Sequence, residues 1–141
     1  MIQRIQSLYL VLGSVSIGSI YLLSDIWTGP AALKSSWFTA VTLGLSGICV
    51  VGGFVAVFLY KDRKRQKSVV VLLQVFTILA LLTLFAGAYY GGSLPFIGTE
   101  SDGVVEGIGL GLAATGYLFF FLARRAIDKD IELIKSVDRL R

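Results

Sequence analysis

Apolar residues along this chain fall into four long runs separated by short polar segments, at about 6–23, 37–60, 69–90 and 104–122. A helix advances about 1.5 Å per residue, so about 20 apolar residues cross a hydrocarbon core of about 30 Å. Each run meets that length, and the pattern predicts four transmembrane helices. Both prolines, Pro30 and Pro95, lie between runs, where a missing backbone donor leaves nothing unsatisfied in hydrocarbon. The first run follows one cation, Arg4, much as in a signal peptide. No small-x-small cleavage site follows, since residues 19–23 lead into Asp25 and Trp27, so a retained span is expected.

The polar positions predict an orientation. Of the 13 lysines and arginines, all but Lys34 occupy three places: Arg4; the cluster Lys61, Arg63, Lys64, Arg65 and Lys67; and the tail at Arg124, Arg125, Lys129, Lys135, Arg139 and Arg141. Positive segments are retained in the cytoplasm, which places both termini and the 61–68 loop inside. Asp25, Glu100, Asp102 and Glu106 make the opposite side acidic. Trp27, Trp37, Tyr89 and Tyr90 sit at the outer boundary and Tyr60 at the inner one, where amphipathic rings prefer the headgroup level. The expected fold is an all-α, integral membrane four-helix bundle over residues 1–122, with a helical, amphipathic cytoplasmic tail over 123–141. The expected location is the bacterial inner membrane.

Composition narrows the chemistry. The chain is 55% apolar and 16% charged, more apolar than a soluble domain of 141 residues can bury. It has no histidine and a single cysteine, Cys49. An intrachain disulfide, a Cys/His metal site and a histidine-ligated haem are excluded, and no cofactor or metal is expected.

Several features are candidates for function. Gly103, Gly107, Gly111 and Thr115 follow one another at four-residue spacing, on one face of the fourth helix. This stripe is expected to serve as a packing interface, first inside the bundle. There Gly44, Gly47, Gly52 and Gly53 of the second run and Gly13, Ser14, Ser16, Gly18 and Ser19 of the first supply narrow surfaces. Self-association or another membrane protein is the alternative. Glu106 is the one carboxylate within a run; three residues into its helix, it suits an acid near a helix N-terminus and within reach of water. Its competing role is a coupling acid for transport.

Gln74 and Thr77 fit hydrogen bonds between helices, and Cys49 fits a small buried apolar residue. Lys61, Arg63, Lys64, Arg65 and Lys67 fit anionic headgroups, at about 1 kcal/mol per cation. That loop has no aromatic stacking partner, so nucleic acid is not an expected partner.

From Tyr117 to Arg141 there is no glycine or proline, so the fourth helix either continues straight or bends at residues 123–125 onto the membrane surface. Ile127, Ile131 and Ile134 form one apolar line, and Leu133, Val137 and Leu140 another beside it. Mixed charges, Arg124 with Asp128 and Glu132 with Lys135, favour packing on protein, its own or a partner's.

The two ends carry recognisable sequence. Met1-Ile2-Gln3-Arg4-Ile5-Gln6 followed by Leu8-Tyr9 resembles the start of a Bacteroidota membrane family, domain of unknown function 4293. The closing pattern, Ala123-x-Arg125-Ala126-Ile127, then Asp130, Lys135 and Asp138-Arg139-Leu140-Arg141, is similar to the end of that family. Between the ends the resemblance lies in hydropathy and span count. The first outer loop is shorter here, and Ile131 stands where the family often has an acid. The resemblance implies a four-helix inner-membrane protein and supplies no activity. It directs attention to the cytoplasmic ends, with Arg125, Ile127, Asp130, Lys135, Asp138, Arg139 and Arg141 as contact residues.

The expected function is a non-enzymatic accessory or scaffold subunit of a larger inner-membrane complex, docking through the fourth helix and tail. The alternative is a small transporter or channel, dimeric like the four-helix multidrug exporters, with Glu106 as coupling acid. An enzyme is not expected, because membrane-side candidates reduce to Glu106, Tyr89, Tyr90 and scattered hydroxyls. The expected partners are membrane lipids and other inner-membrane subunits, with a homo-oligomer as the alternative.

Overall fold

The computed structural model describes residues 2–92 and 102–139, and the described residues are helical almost throughout, without strands. In chain order the helices are α1 (Ile2–Gly18), α2 (Ser24–Thr28), α3 (Pro30–Lys34), α4 (Ser36–Phe58), α5 (Arg63–Gly91) and α6 (Asp102–Arg139). Four of them, α1, α4, α5 and α6, are long and apolar enough to cross a membrane. They correspond to the four runs. Pro95, Glu100, Leu140 and Arg141 lie outside the described residues.

The long helices alternate in direction and close into a bundle. Sequential neighbours pack as antiparallel pairs, α1 with α4, α4 with α5 and α5 with α6, and α6 returns against α1. One end of the bundle therefore gathers the start of α1, the α4–α5 turn and the distal part of α6, and is here named the basic end. At the other end α2 and α3, each a single turn, fold over the bundle and bury Ile26 and Ala31. Lys34 Nζ lies 3.4 Å from the carbonyls of Tyr90 and Gly91, where a cation suits the C-terminus of α5.

Local chemistry sets the limits of α5. The expected start was Val69, yet the helix begins at Arg63, because Asp62 caps it by accepting from the Arg65 N–H at 3.2 Å. Lysine, arginine and glutamine are good helix formers, so the basic "loop" is the first two turns of a helix. At the far end Gly92 takes φ +80°, and its N–H reaches the carbonyls of Ala88 and Tyr89.

The bundle is apolar outside and small or polar within. Val51, Phe58, Leu72, Leu82, Phe85 and Leu118 are exposed, whereas Ser14, Thr42, Ser46, Gln74 and Thr77 are buried. Such a surface suits lipid rather than water. The interior hydroxyls bond mostly to carbonyls one turn back: Ser14 to Leu10, Ser46 to Thr42 and Thr77 to Leu73, at 2.6–2.9 Å. Leu10, Ile17, Phe38, Cys49, Ala56, Val70, Phe120 and Ile127 fill the core between them.

A close backbone crossing joins α1 to α6 through glycine. A Cβ on Gly13 would stand 3.3 Å from the Gly116 carbonyl oxygen, and one on Gly116 would stand 3.2 Å from that of Gly13. Gly53 of α4 presses on Ser14 and Phe120 at the same level. Small residues let backbones approach where lipid supplies no hydrophobic drive. The stripe at Gly103, Gly107, Gly111 and Thr115 does not make this contact. Gly111 and Thr115 are exposed, a Cβ on Gly111 would meet nothing within 4 Å, and Thr115 bonds back to the Gly111 carbonyl. The expectation that this stripe packs inside the bundle is corrected at Gly111 and Thr115, while Gly103 and Gly107, nearer the start of α6, are half-buried. Gly109, against Ile26, and Gly116, against Ile17, are the small residues that face inward, because α6 is rotated to bury Ala113 and Phe120.

Candidate functional site at the basic end

Three chain segments meet on one buried carboxylate. Asp130 of α6 is 7% exposed and pairs with the guanidinium of Arg63, the first residue of α5. Gln6 of α1 donates from Nε2 to Asp130 Oδ2 at 2.5 Å and to the Ala126 carbonyl at 3.1 Å. Arg63 is able to reach across because Asp62 starts the helix there. Ala126 and Asp130, one turn apart, present both acceptors to the same amide.

A second set of contacts continues toward the bundle. Lys67 Nζ is 2.6 Å from Asp128, and Arg124 Nε lies 4.0 Å from the same carboxylate. Arg124 Nη1 also donates to Gln74 Oε1 at 3.4 Å. Gln66, fully buried among the cations of α5, donates from Nε2 to the Ala56 carbonyl at 3.0 Å and ties α5 to α4. The basic end is thus held by side chains of α1, α5 and α6 and by a backbone carbonyl of α4. A cationic first turn of α5 opposes its own helix dipole, and the carboxylates of α6 offset it.

Three of the expected lipid-binding cations also make ion pairs within the chain. Arg63 and Lys67 are taken by α6, and Arg65 Nε is 3.0 Å from Asp62. Lys61 and Lys64 remain exposed and make no ion pair among the described residues. The expected contact residues divide in the same way. Ile127 is fully buried and Asp130 nearly so, and both serve the chain's own bundle rather than a partner. Arg125 is exposed, its guanidinium 5.8 Å from the Phe121 ring centroid, and Lys135 is exposed. Asp138 and Arg139 belong to the last turn of α6, and Arg141 lies outside the described residues.

α6 does not stop at 123–125; one continuous helix of 38 residues passes through the expected tail boundary. Ala123, Ile127 and Asp130 continue its buried face against α1 and α5.

At the opposite end Glu106 is 9% exposed, with Oε1 beside Gly29 beneath the α2–α3 cover. The expectation that it reaches water is corrected, because the short outer segment folds over it. Gln74 does bridge helices, through Arg124. Thr77 donates to the Leu73 carbonyl within α5 and also bridges to α4, where the buried Cys49 thiol is hydrogen-bonded to its Oγ1 at 3.4 Å.

Among the residues that organise the site, Gln6 and Gln66 had no role expected of them, and Asp128, expected beside Arg124, also takes Lys67. Each leaves a trace in the sequence: Gln6 opens an apolar run, Gln66 interrupts a cationic one, and Asp128 sits four residues after Arg124.

No solved structure matches this chain. The family model described as domain of unknown function 4293 matches residues 2–140, from before Gln6 to beyond Asp130. The chain, with all three segments that build its basic end inside the match, belongs to the DUF4293 family.

Proposed function

We propose that this protein is a non-enzymatic accessory or scaffold subunit of a larger assembly in the bacterial inner membrane. Its basic end, with both termini, faces the cytoplasm, and the distal part of α6 is its docking element. The placement rests on the clustering of cations at one end. The docking role rests on one observation. Ala113, Phe120 and Ile127, seven residues apart on α6, are at most 1% exposed, yet the next member of the series, Ile134, is 51% exposed.

The core-facing stripe of α6 therefore continues beyond the helices that cover it. A helix of 38 residues is about 57 Å long, against about 40–45 Å for a bilayer with its headgroups. An apolar position held at a rigid helix end, next to exposed Lys135, suits a helix or groove of another protein.

The test is purification of the tagged chain from its native host in mild detergent, with a photocrosslinker at position 134. A paired variant lacks residues 132–141, which spares Ile127 and Asp130. A defined partner recovered in stoichiometric amount, crosslinked at 134 and lost on truncation, supports the reading. Recovery of the chain alone, or of a self-crosslinked homodimer, sinks it. The small-transporter reading, with Glu106→Gln as its probe, then moves to the front, because Glu106 is a carboxylate buried within a span.

A further inference from the structure

On the outer flank of the basic end, α1 and α6 leave a shallow open groove of about 490 Å³. Ile5, Tyr9, Leu122 and Ala126 form its apolar and aromatic walls, and Arg125 and Lys129 stand over it. The two cations are one turn apart on a single face of α6. Among the described residues neither makes an ion pair: Asp128 is engaged by Lys67 and Arg124, and Asp130 by Arg63. The groove runs into the apolar outer surface at Leu8, Leu118 and Phe121. Tyr9 is fixed against Phe119, ring centroids 6.4 Å apart.

We infer that this groove is a binding site for one anionic phospholipid. The phosphate lies between Arg125 and Lys129, and the glycerol and upper acyl carbons lie along Tyr9, Leu122 and Ile5. The chemistry is complementary in both parts: two unneutralised cations for the headgroup, and an apolar wall continuous with the lipid-facing surface for the chains. The aromatic ring stands between them, at the level such rings prefer. The inference moves specific lipid recognition away from residues 61–67, where three of the five cations are already paired within the chain. It rests on the membrane placement proposed above and not on the docking role of α6.

The test is native mass spectrometry of the full chain in detergent, titrated with phosphatidylglycerol or with phosphatidylcholine of the same acyl chains. The variants are Arg125→Gln/Lys129→Gln in the groove and Lys61→Gln/Lys64→Gln outside it. All four side chains are exposed, so both variants fold, and thermal melting in detergent checks this. One phosphatidylglycerol is expected to bind in preference to phosphatidylcholine. The groove variant is expected to weaken it about 30-fold, the equivalent of about 1 kcal/mol for each of two cations. The control variant is expected to change it less than about 3-fold.

Equal binding of the two lipids overturns the inference, as does equal loss in the two variants. So does a groove variant that keeps its lipid but loses a protein partner. Displacement of the lipid by inorganic phosphate alone also overturns it, since the apolar wall would then contribute nothing. Cysteine labelling from the two sides of the membrane reads the membrane placement independently.

Discussion

Asp130→Leu should unfasten the basic end, and its cost can be worked from the contacts. The substitution removes the carboxylate that pairs with Arg63, whose side chain is 19% exposed, and the shorter acceptor of Gln6. Removing one member of a buried pair costs about 3–5 kcal/mol, mainly because the other charge is left desolvated. Arg63 keeps some access to solvent and Gln6 keeps the Ala126 carbonyl, so the lower end applies, about 3 kcal/mol. That is on the order of a 100-fold change in the unfolding equilibrium.

The assay is reversible unfolding in mixed micelles, read as a double-mutant cycle with Arg63→Leu. Each single variant should lose about 3 kcal/mol, and the double variant should recover much of it, because no charge remains buried without a partner. The exposed pair Lys67–Asp128, about 40% accessible on each side, should couple by less than about 1 kcal/mol. A coupling at Arg63–Asp130 no larger than at Lys67–Asp128 would refute the reasoning. It would mean that the three-segment contact is as solvated as an ordinary surface pair.

Four further outcomes are expected. Gly116→Leu should destabilise the bundle by at least about 1–3 kcal/mol in thermal unfolding, since the side chain must enter the α1 crossing, whereas Gly111→Leu should be tolerated; equal effects would count against the rotation of α6 described here. Asp62→Ala should cost about 1 kcal/mol in the same assay through loss of the α5 cap, with lipid binding to the groove unchanged. In a Cys49→Ala background, single cysteines at Lys61 and Lys34 should react with an impermeant maleimide from opposite sides of the membrane, and labelling of both from one side would reject the topology. The native Cys49, fully buried, should react only after unfolding in strong detergent.

Four helices long enough to cross a membrane, their order and the grouping of cations at one end were all readable in the sequence. Each depends on quantities that add up along a local stretch: apolar length against bilayer thickness, and charge beside a run. The family was readable too, because its recognisable residues lie at the two ends of the chain. The rotation of each helix was not. In a soluble helix the polar face marks the outside, but here the outward surface is itself apolar, so periodicity does not say which face is buried. Thus Gly103, Gly107, Gly111 and Thr115 looked like the seam of the fourth helix, while Gly116 against Gly13 makes it.

The same limit hid the role of the basic segment. Arg63 and Asp130 are 67 positions apart, and Gln6 and Asp130 124 apart, so nothing local joins them. Only the closure of α6 against α1 and α5 turns a headgroup-binding cation into the partner of a buried acid. That closure also frees Arg125 and Lys129 to face the groove. Sequence alone determined how many helices are long and apolar enough to cross a membrane and which ends lie together, because partition between lipid and water is summed residue by residue. Tertiary structure decided which residues touch, because in lipid that choice rests on how closely backbones fit and on which polar groups find each other.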